Sequence, residues 1–247
     1  MKKYLKLGRS GCKIKIFDHY VMKFCDENYE KRLIQQALKQ AKHSSPEFIV
    51  PKVFSIGKNY FTMEKMKNAL NIIDTDENVI RRFVELLYSF IKRNLENSCS
   101  IKVSIEVFKQ KWGKFSSLIK FRLPEYIEVP IGYCHGDLTL CNVFYDITSC
   151  NFILIDFLDS YLESPLCDLV KIYQDINHKW IFKILNKKCE ISHLFKKLEE
   201  LNFPHLFSLF NFTNLCSVYR YTSGKLKKHL EREIYEYKHC FANMWKI

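Results

Sequence analysis

Glycine, proline and long apolar runs are scarce in this chain of 247 residues. It contains only 7 Gly and 6 Pro, which excludes collagen-like and low-complexity architectures. No apolar run approaches the roughly 18 residues that a membrane-spanning helix needs. The first residues, MKKYLKLGRSG, carry charge but no apolar stretch follows them, so they do not resemble a signal peptide. We therefore expect a soluble, cytoplasmic protein that has no membrane partner.

Cysteine spacing that would bind a metal is also missing. The ten cysteines form no C-x-x-C pair, and none lies at zinc-finger spacing from a histidine. Cys134, Cys141, Cys150 and Cys167 flank apolar residues, and a free cysteine behaves as a small buried hydrophobe. The sequence thus predicts reduced cysteines that fill the core, and no disulfide framework.

Positive charge is abundant but dispersed. Lys and Arg number 39 against 27 Asp and Glu, which gives a formal net charge of +12. Such a balance can indicate binding to nucleic acid or to an anionic membrane. The charges are mostly lysines scattered from Lys2 to Lys246, with no dense basic block. This pattern favours a solvated surface over a nucleic-acid partner, although the field would still attract a polyanionic ligand.

The pattern of apolar residues indicates a folded α+β protein. Hydrophobic residues make up 47% of the chain, and its length allows one large domain or two lobes. Alternation with period two and turn residues predict strands in the N-terminal third, beside one amphipathic helix. The predicted elements there are strands over 4–7, 12–17 and 20–24, a helix from about 28 to 42, and strands over 48–56 and 60–66.

Beyond this third the pattern becomes mostly helical. The predicted elements are a helix over 77–95, an ambiguous segment over 99–128, two short strands around a loop over 131–157, and helices over 165–185 and 224–242. We therefore predict an N-terminal lobe, residues 1–66, with a small antiparallel sheet and one helix. A larger and mostly helical lobe is predicted over residues 67–247.

Two segments place acidic or amide side chains beside strongly apolar, strand-like residues. Residues 133–144 read YCHGDLTLCNVF, and residues 152–157 read FILIDF. A carboxylate in such surroundings must be hydrogen-bonded, paired or bound to a metal. D-x-x-x-x-N and I-D-F are each common by chance, but their order and strand settings together favour a catalytic site.

These residues resemble the aminoglycoside phosphotransferase and choline kinase family, whose members have a protein kinase-like fold. That family carries H-G-D-x-x-x-x-N, followed by a strand that ends in I-D-F or I-D-W. Both motifs occur here, at residues 135–142 and 155–157. The resemblance is clear over about 130–175 and weaker over the N-terminal third. It implies a bilobal fold and an enzyme that transfers the γ-phosphate of ATP, with Mg²⁺, to a hydroxyl of a small molecule.

The resemblance also implies a role for each motif residue. Asp137 would be the catalytic residue that accepts or orients the proton of the acceptor hydroxyl. Asn142 and Asp156 would hold Mg²⁺ through the hard oxygen ligands that this ion prefers. His135 is expected to brace the loop, although its position beside Asp137 is also compatible with a catalytic base.

In the N-terminal third the resemblance implies a nucleotide site. Gly8 and Gly11, in GRSG between two strands, would cover the phosphates, with an ordinary hairpin turn as the alternative. Lys23, in YVMK, would contact the α- and β-phosphates, with a solvated strand lysine as the alternative. Glu30, on the apolar face of the predicted helix, would pair with Lys23. Glu27 is an equivalent candidate, since either acid also suits the first turn of a helix.

The segment after the last N-terminal strand resembles the hinge that connects the two lobes. It reads MEKM, and backbone groups at Glu64 and Met66 would bind the adenine ring.

Departures from protein kinases favour a small-molecule acceptor. Gly136 stands where protein kinases carry Arg, and Leu158 follows Asp-Phe where they carry Gly. Only eleven residues separate Asp156 from Asp168, so a peptide-binding activation segment hardly fits. The candidate acceptors are a sugar or polysaccharide precursor, an amino alcohol such as choline, and an aminoglycoside, which the lysine-rich C-terminal part disfavours. A catalytically inactive nucleotide-binding or scaffold protein is the alternative function, and no pattern indicates an oligomeric state.

Overall fold

The structure is a computed structural model that describes residues 12–120, 122–177, 192–201 and 203–244. The predicted strand over 4–7 and the GRSG turn lie outside these residues. The α-helices and strands within them are, in chain order, β1 (Cys12–Ile16), β2 (Tyr20–Cys25), α1 (Glu30–Lys42), β3 (Val53–Ile56), β4 (Tyr60–Glu64), β5 (Ala69–Asn71), α2 (Glu77–Glu96), β6 (Cys99–Ser104), α3 (Glu106–Trp112), β7 (Tyr126–Ile131), β8 (Val143–Asp146), β9 (Asn151–Leu154), α4 (Pro165–Asn177), α5 (Pro204–Tyr219) and α6 (Gly224–Met244).

The chain divides into two compact units. The first comprises the described residues up to Phe90 together with His135–Ser160. The second comprises Ile91–Cys134, except for residue 121, and the described residues from Tyr161 onward. This division falls within α2, at a different place from the predicted boundary between lobes, and the functional division into lobes stays a prediction.

A four-stranded antiparallel sheet lies in the first unit, in the spatial order β1-β2-β4-β3. Asp18 and His19 form the predicted two-residue turn between β1 and β2, which the bond from the Phe17 N–H to the Tyr20 carbonyl closes. The strand predicted over 48–56 is shorter than expected. Pro51 has no N–H to donate to a sheet, and residues 48–52 lie outside β3.

Helix α1 packs its apolar face against this sheet. The hydrophobic cluster between them contains Cys12, Cys25, Leu33, Ala37, Phe61 and Met63. Gln40 lies on the same face, and its Nε2 donates to the Pro51 carbonyl at 2.8 Å. Burial of each large apolar side chain contributes about 1.5–3 kcal/mol. The cluster therefore fixes α1 against β2, the strand that carries Lys23.

A second sheet in the first unit has the order β5-β8-β9. Strands β8 and β9 confirm the prediction of two short strands around a loop, and α2 confirms the long helix predicted over 77–95. Buried aromatic rings of α2 and β9 pack together, with Phe83 and Phe152 5.6 Å apart between ring centroids. The predicted segment around Ile49 joins this sheet, because Ile49 forms a parallel bridge with Ile153 of β9.

The second unit is mostly helical. It also contains an antiparallel pair of strands, β6 and β7, with α3 between them in the chain. Most of this pair comes from the segment over 99–128 that the sequence left ambiguous. Its core is aromatic. Phe212 of α5 stacks on Phe241 of α6 with ring centroids 5.0 Å apart. Trp112 meets both rings edge-on, and its Nε1 donates to the Thr213 hydroxyl at 2.9 Å. The helices predicted over 165–185 and 224–242 are present as α4 and α6, although residues 178–185 lie outside the described part.

The cysteine prediction is correct in part. None of the eight cysteine side chains that the structure describes is in a disulfide bond, and Cys134 and Cys167 are buried. Cys141 and Cys150 are exposed, which corrects the expectation that they fill the core. Cys141 lies in the short 3₁₀ helix Leu140–Asn142 and Cys150 in the turn before β9, and no apolar layer covers either side chain. Among the described helices, none combines the length and the apolar character that crossing a bilayer requires.

Replacing Phe212 with alanine tests the aromatic core. Phe212 is fully buried, so we expect the free energy of unfolding to fall by about 3–5 kcal/mol. Tyr221→Ala is the control, because 65% of Tyr221 is exposed and its loss should change stability by less than about 0.5 kcal/mol. Urea denaturation of both variants checks this, and similar small losses would contradict the packing described.

Candidate active site

The two motif segments are joined through the backbone of Ile155. Its N–H donates to the Asn142 carbonyl at 3.1 Å. Its carbonyl oxygen accepts from Nε2 of His135 at 2.9 Å. The Leu158 N–H also donates to the His135 carbonyl at 3.1 Å. These bonds hold Asp156, the next residue after Ile155, beside the loop that carries Asp137.

His135 is completely buried, and both of its ring nitrogens are used by the backbone. Nδ1 accepts from the Asp137 N–H at 3.2 Å, so Nε2 must carry the proton that is donated to Ile155. Burial lowers the pKa of His135 from 6.5 to about 3, although the nearby Asp137 opposes this shift. The ring also packs on Phe157, with centroids 4.2 Å apart. A neutral imidazole held in this way supports bracing of the loop and not service as a base.

Gly136 allows the backbone of the loop to approach the segment after Asp156. Its φ is +87°, and a Cβ atom at this position would lie only 1.9 Å from the Leu158 carbonyl oxygen. Nζ of Lys39, on α1, donates to the same oxygen at 2.8 Å. Glycine is therefore required here for two independent reasons, the left-handed backbone and the close contact.

Asn142 connects directly to Asp137. Its Nδ2 donates to the Asp137 carbonyl at 2.8 Å and lies 3.4 Å from Oδ2 of the same residue. Because the amide nitrogen is used in this way, Oδ1 of Asn142 is the atom that can accept from, or ligate, another group. The side chain of Asn71, at the end of β5, holds the same loop by donating to the carbonyls of Leu140 and Cys141 at 3.1 and 3.0 Å.

Asp156 follows β9 by two residues and adopts a left-handed backbone, with φ of +66°. Such a conformation is uncommon for a residue other than glycine, and aspartate tolerates it better than most. Its carboxylate forms an ion pair with Lys23 of β2. The Asp156 side chain is 38% exposed, whereas that of Lys23 is only 6% exposed. The structure thus brings together four predicted site residues: Asp137 and Asn142 of the loop, Asp156 after β9, and Lys23 of β2.

The predicted ion pair between Lys23 and Glu30 does not form. Among the described residues, the ammonium of Lys23 contacts Asp156 and Oε1 of Gln36, the latter at 2.9 Å. Glu30 begins α1 and Glu27 precedes this helix, and neither is among the contacts of Lys23 in the part of the chain that the structure describes. Gln36 lies almost two turns further along. The sequence contained a signal for it, since Gln36 shares the apolar face of the helix, where a polar side chain needs a partner.

The other residues predicted to contact the nucleotide are Gly8, Gly11, Glu64 and Met66. No contact that the structure describes joins any of them to this cluster. Gly8 and Gly11 lie outside the described residues, so their role stays a prediction. The Glu64 N–H donates to the Lys52 carbonyl at 2.9 Å, and its carboxylate accepts from the Lys52 N–H at 3.3 Å. Met66 is half-buried just after β4. Because the Glu64 N–H already has a partner, the hinge role of this segment also stays a prediction.

The side-chain oxygens of Asp156 and Asn142 are of the chemical type that suits a small hard cation. The Asp156 carboxylate and Oδ1 of Asn142 are the ligand types that Mg²⁺ accepts, usually with phosphate and water oxygens completing the octahedron. The described residues contain no group of three or more His, Cys, Asp or Glu side chains arranged around a common metal position. Oxygen atoms from a ligand or from water would therefore have to complete such a shell.

No family model and no curated protein matches the sequence. Several solved structures match its fold. A choline/ethanolamine kinase family protein from Mesorhizobium loti is 11% identical with a TM-score of 0.54, and the match covers 98% of this chain and 90% of that one. A Thermobifida fusca protein described as a fructosamine-3-kinase is 9% identical with a TM-score of 0.57. The match covers 98% of this chain and 93% of that one.

An aminoglycoside phosphotransferase, solved with GDP and kanamycin, is also similar. It is 13% identical with a TM-score of 0.50, and the match covers 97% of this chain and 93% of that one. These matches extend over nearly the whole chain and confirm the predicted fold class. The protein has a protein kinase-like fold, with a small antiparallel sheet and a helical part, and resembles the kinases that phosphorylate small molecules.

Replacing Gly136 with alanine tests the close approach at the loop. We expect the free energy of unfolding to fall by about 2–5 kcal/mol, because backbone strain and a clash add together. Gly224→Ala is a matched control, since Gly224 also has a positive φ, of +58°, but no atom within 4 Å of its added Cβ. That variant should lose only about 1–2 kcal/mol. Equal losses in chemical denaturation would remove the contact with Leu158 as the cause.

The buried His135 predicts a pH dependence of stability. Its pKa is about 3 in the folded protein and about 6.5 when unfolded. Between these values only the unfolded chain takes up the proton, so stability is complete above pH 6.5 and decreases as the pH falls toward 3. From pH 6 to pH 5 this group should remove about 1 kcal/mol.

The variant His135→Gln isolates this contribution, because an amide can donate and accept but does not titrate. Urea denaturation at pH 6 and pH 5 should show a smaller decrease in the variant than in the wild type, by about 1 kcal/mol. Parallel decreases in both proteins would mean that His135 is not held neutral by burial.

Proposed function

We propose that this protein transfers the γ-phosphate of ATP, with Mg²⁺, to a hydroxyl group of a small molecule. The observation that supports it most directly is the arrangement around one loop. Asn142 contacts Asp137, the backbone of Ile155 connects Asn142 to Asp156, and Asp156 pairs with the buried Lys23. Phosphoryl transfer needs one group for the phosphate donor, one for the cation and one for the acceptor hydroxyl. Few other reactions need all three together.

Each residue then has a chemical task. Asp137 orients the acceptor hydroxyl and takes its proton as the bond to phosphorus forms. The Asn142 amide fixes Asp137 through its nitrogen and offers Oδ1, with the Asp156 carboxylate, as a ligand to the cation. Bound Mg²⁺ would neutralise the charge that develops on the phosphoryl oxygens. Lys23 would turn from Asp156 to the phosphates of the nucleotide.

The wider nucleotide site is part of the same proposal. Gly8 and Gly11 would cover the phosphates, and Glu64 and Met66 would face the adenine ring, within a nucleotide-binding lobe over residues 1–66. Catalysis and acceptor binding would belong to residues 67–247. Glu30 has no place in it, since Gln36 takes the position beside Lys23 that Glu30 was predicted to hold.

The acceptor that we propose is a sugar or polysaccharide precursor, or an amino alcohol such as choline. The similar structures support a small hydroxyl compound, because they include a choline/ethanolamine kinase family protein, a fructosamine-3-kinase and a complex with kanamycin. One of them was solved with GDP, so GTP should be tested beside ATP as the phosphate donor.

A catalytically inactive nucleotide-binding protein is a second candidate. It is favoured by one observation, the neutral Gln36 where a carboxylate was predicted to hold Lys23. Binding of ATP with Mg²⁺ but no transfer to any acceptor would support this candidate over the enzyme.

Asp137→Asn tests the enzyme directly. Phosphate transfer from labelled ATP would be measured with a panel of sugars, amino alcohols and aminoglycosides, and with a metabolite extract. We expect turnover to fall about 10²–10⁴-fold. The melting temperature should stay within a few degrees of the wild type, because the backbone carbonyl still accepts from Asn142.

Asp146→Asn is the control, since Asp146 ends β8 and its carboxylate accepts local hydrogen bonds from the Thr148 N–H and the Ser149 hydroxyl. Its turnover should equal that of the wild type. Unchanged turnover in Asp137→Asn would remove Asp137 from the mechanism. Failure of the folded wild type to bind ATP with Mg²⁺ would reject both candidates.

A further inference from the structure

The buried ammonium of Lys23 has one neutral and one anionic partner among the described residues. Lys23 is only 4% exposed and Gln36 only 2%. An ammonium can only donate hydrogen bonds, so the Gln36 amide must turn Oε1 toward it, at 2.9 Å. Gln36 contributes a dipole but no charge. In the part of the chain that the structure describes, Asp156 is therefore the single countercharge of Lys23.

The orientation of Gln36 has a cost that its other contacts do not offset. Its Nε2 is buried and has no hydrogen-bond partner among the described residues, and a buried donor without an acceptor destabilises a folded protein. Gln40, one turn further along α1, differs, since its Nε2 donates to the Pro51 carbonyl. Gln36 therefore contributes its hydrogen bond with Lys23, and this bond adds no charge to the site.

The carboxylate that neutralises Lys23 is also the carboxylate proposed to bind the metal. Two cations compete for it, because a carboxylate already paired with an ammonium attracts a second positive charge less strongly. The Asp156 side chain is 38% exposed, so a cation from solvent can reach it. The competition is therefore electrostatic and does not depend on access.

We propose that Gln36 makes metal binding at Asp156 dependent on the nucleotide. This inference rests on the proposed function and assigns Gln36 as a positioning residue for it. With no carboxylate at position 36, Lys23 stays on Asp156 until the anionic phosphates of a nucleotide attract the ammonium. A carboxylate at position 36 would share Lys23 and leave Asp156 open to a metal when no nucleotide is bound.

The experiment measures Mn²⁺ binding without nucleotide, by electron paramagnetic resonance of the free ion. Mn²⁺ serves as a probe for Mg²⁺. The wild type should bind it weakly, and Gln36→Glu should bind it at least tenfold more tightly. Gln35→Glu is the matched control, because it makes the same charge change at an exposed position of the same helix. Its affinity should remain within twofold of the wild type.

Two further variants separate the explanations. Lys23→Met removes the competing ammonium and adds no carboxylate, so its gain in Mn²⁺ affinity cannot come from a new ligand. It also carries the test if Gln36→Glu does not fold. Adding Asp156→Asn to either variant should abolish the gain. No gain in Lys23→Met, equal affinities for Gln36→Glu and Gln35→Glu, or a gain that survives Asp156→Asn would each overturn the inference.

Failure of the proposed function is distinguishable from failure of this inference. Binding of a fluorescent ATP analogue with Mg²⁺ to the wild type tests the nucleotide site itself. Loss of that binding would reject the function, whereas the comparison of Mn²⁺ affinities among the variants decides the role of Gln36 in either case.

Discussion

Ile155 is hydrogen-bonded through both of its backbone groups, and the candidate site depends on these two bonds. Its N–H donates to the carbonyl of the loop residue Asn142, and its carbonyl oxygen accepts from Nε2 of His135. They join the H-G-D-x-x-x-x-N segment to the I-D-F segment at the residue before Asp156. A buried backbone group without a partner is costly, so the loop and the strand end cannot separate without losing both bonds. The His135 ring can accept through one nitrogen and donate through the other only while it is neutral, and complete burial keeps it neutral.

Electrostatics around Lys23 supplies the second constraint on the site. A buried ammonium requires a countercharge, and Asp156 provides it within the described residues. The neutral Gln36 holds the ammonium in place and adds no second negative charge beside that of Asp156. The groups proposed for the phosphates and for the metal are therefore paired with each other in the protein alone. In the proposed function, a nucleotide with its cation would replace this pairing on both sides, because the phosphates would attract Lys23 and the cation would bind Asp156.

Much of the fold followed from the sequence because its signals are local. Alternation predicted β1 and β2 with the turn at Asp18 and His19, and apolar periodicity predicted α1 and α2. The motif residues Asp137 and Asn142 were expected in one loop, where they are in contact. The segment over 99–128 stayed ambiguous because β6 pairs with β7, which is separated from it in the sequence by more than twenty residues. Neither strand carries a clear apolar pattern of its own. Exposure of Cys141 and Cys150 was also missed, since flanking apolar residues do not reveal what covers a turn.

The sequence by itself determined which chemical groups are present, their order along the chain and the strands and helices that carry them. Only the tertiary structure decided the partner of Lys23. Helical spacing made Glu30 a candidate, but packing of α1 on the sheet turns Gln36 toward β2. The need for glycine at position 136 was likewise decided by the approach of the Leu158 carbonyl from a distant part of the chain. Local periodicity records which face of an element is apolar, whereas the contacts of a buried polar atom depend on how two elements meet.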